Sequence, residues 1–188
     1  MIIASYFTPS YRANADVLRA SCERFGHAHK IIELPEQGSW IGGIHKKCQV
    51  ILNTLIDVRQ PVVWIDADCE LLKPIPDQDW QDFDWAGHDW HTENRKTNPD
   101  YPATDDVLHS GGVTIWNYTA PAIELLLRWH RALVANPEAV DDQVLDAVVN
   151  RAGVPLRWKH LPKEMNWMPF LFGPLTPDVI VRHDYVPK

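Results

Sequence analysis

Two carboxylates close a short apolar run at Pro61-Val62-Val63-Trp64-Ile65-Asp66-Ala67-Asp68. Carboxylates this near each other repel unless a positive charge lies between them. A hard divalent cation with oxygen ligands answers that need, which points to Mg²⁺, Mn²⁺ or Ca²⁺, and such a cation would in turn hold a phosphate. At the end of a strand the chain can turn, and both acids can then reach one centre. Taken alone, a D-x-D string is common, and a pair of solvated turn acids is the competing reading.

Four further groups carry chemistry. His45, Lys46 and Lys47 fall in the first turn of a helix opened by Gly42-Gly43. Cations there oppose the positive end of the helix dipole, so they are expected either on a solvated face or against a phosphate. In His109-Ser110-Gly111-Gly112-Val113 the paired glycines let a ligand approach the backbone, or they mark a β-bulge. Asp141-Asp142-Gln143 offers one acid as a helix cap and a second, Asp142, that can face a pocket. His183 follows a late apolar stretch, and its imidazole suits Mn²⁺. A lone histidine is otherwise a structural residue.

The elements that must position these groups alternate. Ile2–Phe7 reads as a strand, 14–25 as a helix ended by Gly26, 29–34 as a strand, 43–57 as a helix and Val62–Ile65 as a buried strand. That order predicts an α/β fold with an open, mostly parallel sheet flanked by helices. α/β sheets bind ligands beyond the carboxyl ends of their strands, which is where Asp66 and Asp68 lie. A strand is expected at 83–87 and another within 107–116, interrupted by Gly111-Gly112. Between them the stretch 88–106 is polar and aperiodic, and it reads as a flexible lid or acceptor loop. Thr119 caps a helix with Ile123, Leu126, Leu127 and His130 in period. Another helix begins at Asp141 and ends at Gly153, and short strands are expected at 156–161 and 179–181.

The 188 residues predict one domain spanning the chain. A formal net charge of −7 argues against a nucleic-acid-binding face. No run of apolar residues is long enough for a transmembrane helix, and the N-terminus reads as a strand, not a signal peptide. Three cysteines at unrelated spacings suggest reduced thiols and a cytoplasmic protein. Nine tryptophans are expected mostly in the core, though flat aromatic faces also stack on sugars and bases.

Taken in order, these segments resemble the GT-A fold glycosyltransferases, the nucleotide-diphospho-sugar transferases. Asp66-Ala67-Asp68 looks like that fold's D-x-D motif. His109-Ser110-Gly111-Gly112-Val113 is similar to the N-S-G-V segment of the glycogenin-like branch, and Asp142-Gln143-Val144-Leu145 to its D-Q-x-x-L segment. Leu161-Pro162 with Asn166-Trp167 resembles its L-P-x-x-x-N stretch, and His183 its C-terminal metal-binding histidine. The resemblance implies a single-domain, Rossmann-like GT-A architecture and a metal-dependent, hexosyltransferase-like enzyme. It would move a sugar from a nucleoside-diphosphate sugar, with a UDP-sugar the leading donor, to an acceptor that is a sugar, a lipid-linked glycan or a protein.

Residue roles follow from the resemblance. Asp66, Asp68 and His183 would hold Mn²⁺ or Mg²⁺. Ser5, Tyr6, Phe7 and Ala67 would border the nucleotide, and Lys47 would help at the phosphates. Ser110, Gly111, Gly112, Asp142 and Gln143 would line the donor sugar, with Asp142 and Gln143 the catalytic pair, and Trp167 would offer a stacking face. Two rival readings stand beside it. One is a haloacid-dehalogenase-type metal-dependent phosphatase, which also uses a strand followed by D-x-D but puts that strand first in its core. The other is a non-catalytic nucleotide-sugar-binding protein of the same fold.

Overall fold

A computed structural model describes residues 1–76, 82–151 and 155–184. The expected helix end at Gly153 lies outside them. The chain begins with strand β1 (Ile2–Phe7), helix α1 (Arg12–Arg24) and strand β2 (His29–Glu33). Two helices follow, the short α2 (Trp40–Ile44) and α3 (Lys46–Val58), then strands β3 (Val62–Ile65), β4 (Cys69–Leu71) and β5 (Trp85–Asp89). The remainder is α4 (Trp90–Thr97), β6 (His109–Trp116), α5 (Ala120–Ala135), α6 (Asp141–Arg151), β7 (Trp158–His160), α7 (Pro169–Phe172) and β8 (Val181–His183).

The main sheet has six strands in the order β2-β1-β3-β6-β5-β7. β6 runs against both its neighbours, and the other pairings are parallel. This is the mixed, mostly parallel, helix-flanked sheet that the element order predicts. β4 and β8 form a separate antiparallel pair beside it.

Alternation along β3 explains its unbroken apolar sequence. Val62 and Trp64 enter the core under α3, α5 and α6, whereas Val63 and Ile65 enter the core that contains Leu18 and Cys22 of α1. A central strand covered on both faces must be apolar at every position. Trp85, Trp116 and Trp129 stack in series beneath α5, and Trp158 leans on Trp85. The core role expected for most tryptophans therefore holds for these four.

Several element boundaries differ from the sequence reading. The expected helix at 43–57 is split at His45, with Ser39 capping α2 through Gly42 N. On α5 the buried stripe is Ala122, Leu125, Leu126, Trp129 and Leu133, one residue out of step with the expected one. The structureless stretch expected at 88–106 is half ordered. His88 and Asp89 finish β5, and 90–97 is helical.

That helix, α4, lacks an apolar stripe and is held by polar contacts instead. Asp89 accepts hydrogen bonds from His91 N, Thr92 N, Thr92 Oγ1 and Leu108 N. Glu93, buried in its first turn, pairs with Lys96 and Lys163. Asp89→Ala is expected to cost about 2 kcal/mol, at the upper end for a helix cap, measured by urea unfolding. Burial opposes ionisation of Asp89, but the Thr92 and Leu108 hydrogen bonds outweigh it and hold the carboxyl below its usual range. A depressed folded pKa contributes stability above the unfolded value of about 3.9, and that stability is lost as pH falls through the folded value. The deficit of the variant should therefore shrink on acidification.

Candidate active site

The acids that close β3 lie in a tight turn, fixed by Cys69 N donating to Asp66 O at 3.0 Å. They face different partners. Asp66 Oδ1 accepts from Trp64 Nε1 at 2.7 Å and lies 3.3 Å from Lys47 Nζ. Asp68 Oδ1 lies 3.3 Å from His183 Nε2.

Their protonation diverges accordingly. Burial, with Asp68 close by, raises the Asp66 pKa despite the Lys47 charge. Burial also acts against Asp68, but the His183 hydrogen bond and charge prevail and lower its pKa. Desolvation disfavours the His183 imidazolium, yet its bond to Asp68 and both carboxylate charges raise its pKa above the ordinary value. Of the two acids, Asp68 is the one whose pKa is lowered, and His183 is its partner across the turn.

A second line of contacts fixes the His183 ring. Asn166 Nδ2 donates to Ser110 Oγ at 2.8 Å, which turns Asn166 Oδ1 toward His183 Nδ1 at 3.2 Å. Nδ1 thus carries a proton, and Nε2 presents its lone pair toward Asp68 when the ring is neutral. This is the orienting arrangement found behind metal-ligating imidazoles. The donors therefore suit a divalent cation: one ionised carboxylate and one correctly turned imidazole.

Gly112 makes this packing possible. A Cβ there would collide with His183 Nδ1, and would sit 2.6 Å from Cε1 and 2.8 Å from Asn166 Oδ1. The bulge reading of Gly111-Gly112 also holds, since pairing between β5 and β6 slips across this point. Gly112→Ala is expected to displace the imidazole and weaken cation binding at least tenfold, with a much smaller loss of stability. Calorimetric titration with Mn²⁺ alongside thermal unfolding separates the two effects.

Lys47 is the buried cation of the site, only 6% exposed. Its Nζ donates to Gly111 O at 3.2 Å and lies 3.1 Å from Asp141 Oδ2 as well as close to Asp66. The anions that make a lysine acceptable in the first turn of α3 are thus protein carboxylates. Burial alone would lower its pKa, but Asp141, Asp66 and Asp142 together raise it.

Asp141 begins α6 and is buried against Lys47. Of the adjacent acids it is the one built into the site, which corrects the expectation that one of the two serves merely as a cap. Asp142 still borders the centre, because a Cβ on Gly111 would lie 3.6 Å from Asp142 Cβ. Its carboxyl pKa is raised by burial and by Asp141.

A cleft of about 460 Å³ opens beside these groups. It is lined by Tyr6, Phe7, Tyr11, Trp40, Lys47, Trp64 and the Asp66-Ala67-Asp68 turn, with polar edges from Glu36, Gln37 and Ser39. The Tyr6 hydroxyl donates to Gly43 O at 2.5 Å, tying β1 to α2. Trp40, 48% exposed at the cleft mouth, was not singled out from sequence. It opens the five-residue α2, which is too short, with Gly42-Gly43 inside it, to show an apolar period.

Three expected site residues fall elsewhere. Ser5 is fully buried, because strand alternation sends its side chain away from that of Tyr6. Gln143 is exposed and lines a groove between α5 and α6 with Ala139 and Arg151. Trp167 is 4% exposed, packed on Phe172 with its Nε1 bonded to Gly173 O, so it offers no open stacking face. Ser110 and Gly112 act through Asn166 and His183, and do not line the cleft.

The sequence matches no family model and no curated protein. The fold is similar to that in the crystal structure of a glycosyltransferase involved in the glycosylation of the major capsid of PBCV-1. The TM-score is 0.69 at 13% identity, over 100% of this chain and 93% of that one. The architecture is accordingly GT-A-like. Two strands and three helices precede the acid-bearing β3, unlike the arrangement of the phosphatase reading. Among the described residues no helix is long and apolar enough to cross a membrane.

Proposed function

We propose that this chain is a glycosyltransferase that takes its sugar from a nucleoside diphosphate donor and uses a divalent cation. The observation that carries this reading is the ionised Asp68 paired with the oriented His183, at the edge of an aromatic cleft in a GT-A-like fold. Mn²⁺ or Mg²⁺ suits Asp68 and His183, with Asp66 adjoining. When bound, such a cation supplies a Lewis acid that neutralises charge on the departing diphosphate.

The protein's own groups complete the site. Tyr6, Phe7, Ala67 and Trp40 would hold the base, for which UDP is the first candidate. Asp66 keeps 26% of its side chain exposed and would accept from a ribose hydroxyl. Lys47 would offset the Asp66 and Asp141 charges beside the phosphates, and Gly111 and Asp142 would border the transferred hexose. The order of the D-x-D, S-G-G-V and D-Q-V-L segments and His183 supports placement in the glycogenin-like branch. Helix α4 and the segment 98–108 would face the acceptor, whether sugar, lipid-linked glycan or protein, in a cytoplasmic setting.

A thermal-shift screen of nucleoside diphosphates and their sugars, with and without Mn²⁺, tests the reading. One diphosphate should stabilise the protein only with the cation, by about 2.7 kcal/mol at a hundredfold excess over its dissociation constant. Its sugar ester should release free nucleoside diphosphate over time. Indifference to every diphosphate in both conditions would refute the reading.

A further inference from the structure

Among the described residues Asp68, Cys69 and His183 form a group able to hold a metal ion, with ligand atoms that all lie within 4.8 Å of one another. Topology brings them together. Cys69 and His183 are opposite partners in the antiparallel β4–β8 pair, so their side chains leave the same face. Asp68 directly precedes Cys69 and already contacts His183. Asp66 is engaged by Lys47 and Trp64 on the other side of the turn. Cys69 is a free thiol, buried on the face of the β4–β8 pair that also carries Leu71 and Val181 into the core.

We propose that Cys69 is a direct ligand at this centre, giving a sulfur, nitrogen and oxygen donor set that favours a thiophilic divalent cation, Zn²⁺, over Mn²⁺. A thiolate added to a carboxylate and an imidazole shifts the preference further from Mn²⁺ toward zinc-like ions. Three protein donors also leave a fourth position for water or a diphosphate oxygen. On binding, the Cys69 S–H bond breaks, its proton passes to solvent, and the thiolate forms the bond to the cation. His183 likewise releases to solvent the Nε2 proton it shares with Asp68 and ligates as the neutral imidazole, with its Nδ1 side facing Asn166 Oδ1. This inference rests on the cation site of the preceding reading and is independent of sugar transfer.

Titrating the purified chain with Co²⁺ as an optical probe, and with Zn²⁺ and Mn²⁺ by competition, tests it. Wild type and the control Cys22→Ser should show an ultraviolet sulfur-to-cobalt charge-transfer band that Cys69→Ser lacks. Zn²⁺ affinity should fall by more than about 100-fold in Cys69→Ser, beyond what loss of a group that merely supports a ligand costs, while Mn²⁺ affinity holds. Co²⁺ binding to wild type without the band, or Zn²⁺ affinity indifferent to Cys69→Ser, overturns the proposal and leaves an Asp68–His183 site standing. Failure of wild type to bind any of the three cations overturns both. If Cys69→Ser does not fold, the wild-type cobalt spectrum decides alone.

Discussion

Asp68→Ala is expected to abolish cation-dependent nucleotide binding, weakening it more than about 100-fold, beyond the usual cost of losing a group that only supports a ligand. The variant removes the carboxylate whose pKa the His183 contact lowers and leaves His183 without its acidic partner. Calorimetric titration of the cognate diphosphate with Mn²⁺ measures the loss. Binding as tight as wild type, and still dependent on Mn²⁺, would place the centre elsewhere.

The same variant has a pH signature without any cation. The raised His183 pKa contributes stability that is complete below the unfolded value of about 6.5 and is lost as pH rises through the folded value. The lowered Asp68 pKa contributes stability above about 3.9, lost as pH falls through its folded value. In EDTA, the stability gap between wild type and Asp68→Ala should therefore be widest at mildly acidic pH. It should narrow toward both acid and alkaline conditions.

What the sequence made legible is set by the range of each interaction. β3 is covered on both faces, so its apolar run and terminal acids stand out over eight consecutive residues. The strand and helix order around it follows from periodicity, and it was enough to predict the sheet. The partners of those acids were less visible. β4 and β8 are three-residue strands joined across more than a hundred positions, and nothing local in Cys69 or Arg182 announces their pairing.

Asn166 could be matched as part of a motif, but its bridge from Ser110 to His183 emerges only when β6 and β8 come together. The buried role of Asp141 depends on the approach of α3 to α6, while its sequence neighbourhood reads simply as a helix start. Helix α4 escaped notice because caps and ion pairs hold it, and these leave no 3.6-residue apolar pattern. Trp167 misled for the converse reason: residue type says nothing about which face the fold covers.

Lys47 is where site and stability meet, and Lys47→Met should show it. Methionine keeps the length and the apolar stem but leaves Asp141, whose side chain is 6% exposed, and the partly exposed Asp66 without their shared cation. Removing one partner from a buried ion pair typically costs about 3–5 kcal/mol, because the remaining charge is stranded in low dielectric. A loss of about 3 kcal/mol is expected here, since Asp66 retains solvent. Adding Asp141→Asn to Lys47→Met should recover part of that loss, whereas Asp141→Asn alone should destabilise. The double-mutant cycle, read by urea unfolding, isolates the coupling. Additive single effects would show that Lys47 and Asp141 do not depend on each other. Strong coupling would explain why a lysine occupies a helix start that the dipole disfavours: it ties α3, β6 and α6 to the turn that carries Asp68, and so holds that carboxylate in reach of His183.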